Sequence, residues 1–162
     1  MTFTLRPFQE EDKPQFLELF IGEKGYVHDK WKPSFTKEVL DTLISRFLDP
    51  NEPVYSVVAI VEDKIVGFAN YVTHRFTWTI EDALYLNDLF IAKDFRSKGL
   101  GRSLVEYIYQ KADKLNCKKC YWNTEFDNYK ARILYSKVGV KTGSLSYRRP
   151  FENEKIEPNP FD

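Results

Sequence analysis

The nine residues from Arg96 to Leu104, RSKGLGRSL, hold two glycines, three cations and two hydroxyls, and they follow the apolar run LYLNDLFI. A strand that feeds such a loop and then a helix makes an anion site. The first helical turn carries N–H groups without internal partners, and the helix dipole adds about half a positive charge there. Gly99 and Gly101 have no Cβ to hold a phosphate away from the amides, Arg96, Lys98 and Arg102 bring mobile positive charge, and Ser97 and Ser103 bring hydroxyl donors. Donors continuing over consecutive residues suit a diphosphate better than a single phosphate. Two familiar alternatives fail on residue type. No G-x-x-x-x-G-K-[ST] run is present, and Leu104 stands where a dinucleotide fingerprint has its third glycine.

Other groups that could do chemistry are weaker. Cys117 and Cys120 form a lone C-x-x-C. A structural zinc site needs a second pair of ligands, and His28 and His74 stand far apart from it, so no metal is expected. The cysteines read as one loop and one strand residue, both reduced.

These residues must be positioned by one modest domain. The chain has 162 residues, 43% hydrophobic and 30% charged, which suits a soluble fold with a real core. Aromatics reach 16%, as in a β-rich core or an aromatic-lined pocket. A net charge of zero speaks against a nucleic-acid partner. No apolar run approaches a membrane span, and the N-terminus lacks a signal-peptide core, so no membrane association and a cytoplasmic location are expected.

Along the chain, TFTLRPF reads as a strand and EEDKPQFLELFI as a helix. SFTKEVLDTLISRFL is a second helix with Ser34 or Thr36 as its cap. VYSVVAIV and IVGFANYV flank a tight polar turn and predict a hairpin. ALYLNDLFI is a further strand, in which alternation puts Leu84, Leu86, Asp88 and Phe90 on one face. Apolar residues from Leu100 through Ala112 recur at helical spacing. KKCYWNT is a short strand, NYKARILYSKV a helix closed by a left-handed Gly139, and VKTGSLSYRRPF holds two last strands around Gly143. The order β-α-α-β-β-β-α-β-α-β-β is α+β. It gives a mixed, mostly antiparallel sheet of about seven strands flanked by about four helices. Residues 1–150 make the single domain, and 151–162 form a polar, Pro-rich tail.

With the elements in place, RSKGLGRSL resembles the R/Q-x-x-G-x-G/A motif of the GNAT superfamily of N-acetyltransferases. TLRPFQEED is similar to the family's first strand and helix entry, and LYLNDLFIAKDFRSKGLGRSLVEYI to its central strand–loop–helix. NYKARILYSKVGV is similar to its N-x-x-A-x-x-L-Y-x-K-x-G-[FV] helix, with Val140 where the family often has Phe. The resemblance covers roughly residues 3–148 and is nearest to the yeast subgroup that acetylates histones and D-amino acids. Polyamine and thialysine acetyltransferases are similar too.

The resemblance implies the GNAT fold and acetyl-CoA as cosubstrate. It implies that the amides from Ser97 through Lys98, Gly99, Leu100, Gly101 and Arg102 to Ser103 hold the pyrophosphate, with Arg96 and Arg102 near phosphates. Leu89, Phe90 and Ile91 would hydrogen-bond the pantetheine amides along a splayed strand edge. Asn128, Ala131 and Tyr135 share one helical face and would look toward the cofactor's reactive end, where the matching Tyr protonates the leaving thiolate. Tyr107 and Tyr109 read as packing residues.

Asp88, a carboxylate among apolar neighbours, is costly unless paired or useful. It would orient the amine or take its proton through water; a salt-bridged strand acid is the equal alternative, and Glu125 and Asp127 are weaker ones. Tyr26, Trp31 and Trp78, from GEKGYVHDKWKP and HRFTWTIED, could cradle an amine, or stand on ordinary surface loops. The expected reaction is direct attack by the primary amine of a small molecule, an amino acid or polyamine, in a ternary complex. A protein lysine is the alternative acceptor, and a non-enzymatic CoA-binding module a third reading. A homodimer through the last strand and tail is also implied.

Overall fold

The computed structural model of the chain describes residues 1–27 and 29–158, except the side chains of residues 29 and 30; His28 and the end of the tail lie outside the described residues. Five strands form one sheet in chain order: β1 (Thr4–Pro7), β2 (Val54–Val61), β3 (Lys64–His74), β4 (Ala83–Ile91) and β5 (Lys119–Tyr121). The first four pair antiparallel, and β5 joins β4 in parallel. Helices α1 (Lys13–Ile21) and α2 (Lys37–Leu48) pack on one face of the sheet and α3 (Leu100–Lys114) on the other; α4 (Tyr129–Val138) follows β5 and contacts α3. The fold is the expected α+β class with four helices. No described helix is long and apolar enough to cross a membrane.

Local chemistry explains most boundaries. Glu62 and Asp63, both with positive φ (47° and 62°), form the two-residue turn between β2 and β3, and this handedness matches the twist of the flanking strands. Thr36, not Ser34, caps α2 by accepting from the Val39 amide at 3.2 Å.

Three expectations change. The sheet has five strands rather than about seven, because residues 139–158 form none. Leu145 and Tyr147 in that stretch are about four-fifths exposed, and strand-forming side chains make no strand without a partner edge. Gly139 is extended (φ −142°), not left-handed. A Cβ there would meet the Trp122 ring at 2.8 Å, so glycine is needed for close approach and not for a turn.

The third change concerns β4. Register places Asn70 opposite Asp88 but Tyr71 opposite Leu86, so Asn87 is an extra, bulged residue. Strand parity therefore reverses between Leu86 and Asp88. Leu84 and Leu86 join the aliphatic core under α3, with Val57, Ala69, Leu104 and Ile108. Phe90 joins the opposite, aromatic core with Phe8, Phe16 and Phe68. Asp88 and Phe90 thus lie on the face away from Leu84 and Leu86, contrary to simple alternation.

The aromatic core takes up six of the 13 phenylalanines, with Tyr26 at its edge. Phe16 meets Phe8 at 5.4 Å and Phe68 at 4.8 Å between centroids, and Tyr26 meets Phe68 at 5.9 Å and Phe90 at 6.0 Å. Its entry is locked by one ion pair. Arg6 on β1 donates through both terminal nitrogens to Asp12, at 2.6 and 2.8 Å, and the Gln9 amide donates to the same carboxylate at 2.8 Å. Asp12 is buried, and the hydrogen bonds from Arg6 hold its pKa below the usual carboxylate value despite desolvation.

A folded-state pKa below the unfolded one gives stability that is present above the unfolded value, near 4, and is lost as pH falls through the folded one. Asp12→Ala should therefore cost roughly 1.5–3 kcal/mol at neutral pH, the range for hydrogen bonds to charged groups. Urea unfolding at pH 7 and near pH 3 should show the gap between wild type and variant closing in acid. A gap independent of pH would assign the loss to packing alone.

Candidate active site

β4 leads from a cavity to the glycine loop. Its pairing with β5 covers only Ala83–Tyr85 against Lys119–Tyr121, and β4 then continues to Ile91 without a strand on that side. Splaying leaves main-chain groups of Leu86–Ile91 for another partner. One of them is already used, because Arg96 Nε donates to the Ile91 carbonyl at 2.7 Å while its guanidinium lies over the Phe90 ring. Arg96 thus ties the loop back to the strand that precedes it.

The loop itself is strained and open. Ser97 and Gly99 have φ of 61° and 87°, and nothing lies within 4 Å of where a Gly99 Cβ would sit. The first internal bond of α3 runs from the Ser103 amide to the Gly99 carbonyl at 3.1 Å, which leaves the amides of Leu100, Gly101 and Arg102 ahead of it. No side chain caps this end and no acid lies in its first turn. Such an end suits an anion. Lys98 lies over the Phe95 ring and Arg102 pairs with Glu106 at 3.0 Å, both on the surface. Gly101 has a packing duty: its Cβ would meet Leu134 of α4 at 3.0 Å.

The cavity, of about 1030 Å³, lies on the aromatic side of β4. Asp88, Leu89, Asn128 and Tyr135 line it, together with Tyr26, Trp31, Asn70, Tyr85, Trp122 and Glu125; Phe90, Ile91, Ala131, Asp127 and Trp78 do not. The two candidate catalytic residues therefore share one space. Trp78 is instead an exposed partner of Phe76. Tyr109 donates to the Val138 carbonyl at 2.6 Å, which fits its packing role.

Each side chain is placed by identifiable contacts. Tyr135 rests edge-on against Trp122 at 5.4 Å, and the close fit of Gly139 under Trp122 seats that end of α4. Burial raises its pKa, so the phenol is protonated at neutral pH. Asn128 caps α4 by accepting from the Ala131 amide at 3.4 Å. Asp88 accepts from Asn70 Nδ2 at 2.9 Å and Asn87 Nδ2 at 3.0 Å. Tyr26 is held protonated by burial first and then by the charge of Asp88. Asn70 and Asn87 escaped sequence reasoning because strand amides carry no motif; the one signal was the N-D pair that interrupts β4.

Both thiols stand off the cavity wall, and burial raises their pKa, that of Cys120 to about 11. His74 is engaged by Tyr121 at 2.7 Å. Among the described residues no cluster of three or more His, Cys, Asp or Glu side chains could hold a metal.

Comparison with known proteins identifies the family. The family model described as Acetyltransferase (GNAT) family matches residues 12–140. The D-amino-acid N-acetyltransferase HPA3 of Saccharomyces cerevisiae is 38% identical over 90% of this chain and 89% of its own. The peptidyl-lysine N-acetyltransferase YjaB of Escherichia coli is 28% identical over 90% and 87%. The structure of aminoglycoside N-acetyltransferase AAC(6')-Iy in complex with CoA superposes with a TM-score of 0.73 at 13% identity, over 92% of this chain and 95% of that one. An uncapped helix end behind a glycine loop, a splayed β4 and a tyrosine-lined cavity thus occur in a chain that belongs to the acetyltransferase (GNAT) family.

Proposed function

We propose that this acetyl-CoA-dependent N-acetyltransferase acts on the primary amine of a small molecule, an amino acid or a polyamine. The observation that carries the reading is the convergence of Asp88 and Tyr135 on one cavity, from which β4 runs to the open N-terminus of α3. The residues present fit the cosubstrate. Amides from Ser97 to Ser103 would hold its pyrophosphate with Arg96 and Arg102 nearby, the free edge of Leu89–Ile91 would take its pantetheine arm, and Asn128 and Ala131 would border its reactive end. Bound there, acetyl-CoA supplies an activated thioester.

The chain's own residues then do the proton work. An amine with a pKa near 10 arrives mostly as ammonium. Asp88, fixed by two amide donors, orients it and takes its proton through water. Tyr135, protonated at neutral pH, donates to the departing sulfur. The two thiols are protonated and off the cavity, which supports direct attack in a ternary complex rather than an acetyl-cysteine step. A placed acid has no use in a pure CoA-binding module. Residues 1–150 would form the one catalytic domain and 151–162 its tail, and two unpaired thiols suit a reducing, cytoplasmic location.

Small amines are favoured over protein lysines because the segment after α4 forms part of the cavity wall and narrows the room for a peptide. Ser146, from the segment after α4, lines it, and Phe151 packs on Trp31 at 5.6 Å. The acceptor named for the 38% identical relative, a D-amino acid, points the same way; YjaB keeps the peptidyl-lysine reading as the alternative.

We also propose a homodimer. No residue of helix α4 is fully buried, and Val140, Leu145, Tyr147 and Ile156 stand 80–91% exposed beside it in sequence. Such a run asks for cover, and a second copy supplies it.

Three outcomes test these readings. Tyr135→Phe should lower kcat by roughly 10²–10⁴-fold with acetyl-CoA affinity kept, read as free-thiol release and by calorimetry; full turnover would move the acid role elsewhere. Free L- and D-amino acids and polyamines should give higher kcat/KM than a histone tail peptide. A tenfold preference for the peptide, about 1.4 kcal/mol, would transfer the assignment to protein lysine. Light scattering should return twice the chain mass, and a clean monomer would reject the dimer.

A further inference from the structure

We propose that the side-chain carbonyl of Asn70 is a second acceptor for the substrate nitrogen, set beside Asp88 and selecting primary amines. The inference rests on the amine acetyltransferase reading above.

Asn70 lies on β3 opposite Asp88, is 6% exposed and lines the cavity. Its Nδ2 donates to Asp88 Oδ2 at 2.9 Å, while its Oδ1 is buried without a hydrogen-bond partner among the described residues. The amide cannot turn over to cure this, because that would set its oxygen against a carboxylate oxygen. A buried amide oxygen left unpaired is costly, and a donor arriving from the cavity removes the cost.

Asp88 also has room. Asn70, Asn87 and the Tyr26 hydroxyl take three of its roughly four lone-pair directions, which leaves one, and it joins no ion pair among the described residues. The two strands therefore present two acceptors and no cation. A primary ammonium matches that pattern. After its proton leaves, the neutral amine still has two N–H groups, one for Asn70 Oδ1 and one for Asp88, and its lone pair is left for the acetyl carbon. The nitrogen–carbon bond forms, the carbon–sulfur pair leaves with sulfur, sulfur takes a proton from Tyr135, and the second nitrogen proton passes through water to restore the Tyr135 phenol. The sum is ammonium plus thioester to amide, thiol and one released proton. A secondary amine has one N–H too few to fill both acceptors.

A second account of the orphaned oxygen is internal. Ser56 pairs with Asn70 across β2 and β3, and its Oγ is likewise buried and unpartnered, so a water could bridge the two. Ser56 does not line the cavity.

The test uses the preferred acceptor from the amine panel, peptide included, and its N-methyl derivative. Asn70→Ala should raise the amine KM roughly tenfold, the worth of one hydrogen bond to a charged group, and leave the acetyl-CoA KM within about twofold. In an Asp88→Asn background the same change should still raise the amine KM by roughly fivefold; no further rise would mean that Asn70 acts only through Asp88, and would overturn the proposal. So would a Ser56→Ala variant that reproduces the Asn70→Ala defect, because the bridge would then be internal. Should Asn70→Ala not fold, wild type decides: it should strongly prefer the primary amine, and equal turnover of the N-methyl derivative would sink the proposal. If wild type acetylates none of the panel, the amine acetyltransferase reading falls and takes this inference with it. If wild type is active and the Asn70→Ala amine KM moves less than about twofold, only the Asn70 inference falls.

Discussion

The site depends on one extra residue in one strand. With Asn87 bulged out of the ladder, β4 presents leucines to the aliphatic core before the bulge, and Asp88 and Phe90 to the aromatic side after it. Without the bulge, Asp88 would point under α3, into a core built mainly of valine, leucine, isoleucine and alanine. With it, the carboxylate reaches Asn70 and Tyr26. A bulge also bends its strand and increases twist. Here β5 stays paired for only three residues before the strands part, and the freed edge of β4 runs on to the glycine loop.

Packing then converts a bent strand into a fixed site. The ring contacts from Phe8 through Phe16 and Phe68 to Phe90 carry the core up to the cavity wall, and Tyr26 is the last member of that chain. Helix α4 is only half-buried on its inner face, and two glycines set its position. Gly101 lets Leu134 come against the start of α3, and Gly139 lets Trp122 sit against the end of α4. The same start of α3 carries the uncapped amides, so the anion end of the site and the tyrosine end share one piece of packing.

Electrostatics divides the work along this frame. The helix terminus, the loop amides and surface cations make one end of β4 positive. At the other end a carboxylate is surrounded by amides and phenols, with no cation against it among the described residues. A diphosphate-bearing thioester at one end and a separate cationic amine at the other would suit that gradient. Burial keeps Tyr135 and Tyr26 protonated, so neither phenol adds negative charge to the cavity.

Sequence by itself determined most of the elements and the glycine loop that opens α3. The hairpin followed from two β-branched runs around a polar turn, α3 from its apolar spacing, and the loop from two glycines among cations; each is a local property, set by φ preference, periodicity and unpaired amides. Tyr135 was legible through its motif helix. What the sequence left open needed long-range pairing. Alternation assigned Asp88 to the leucine face because nothing local says where a ladder slips; the bulge exists only against the register of β3. Asn70 looked like any strand amide until β4 lay beside it and left its oxygen alone. Gly139 read as a turn because the ring it makes room for, Trp122, lies just past β5, 17 residues earlier in the chain. The last two strands failed because residues with strand propensity form a strand only against an edge, and only tertiary or quaternary contact supplies one.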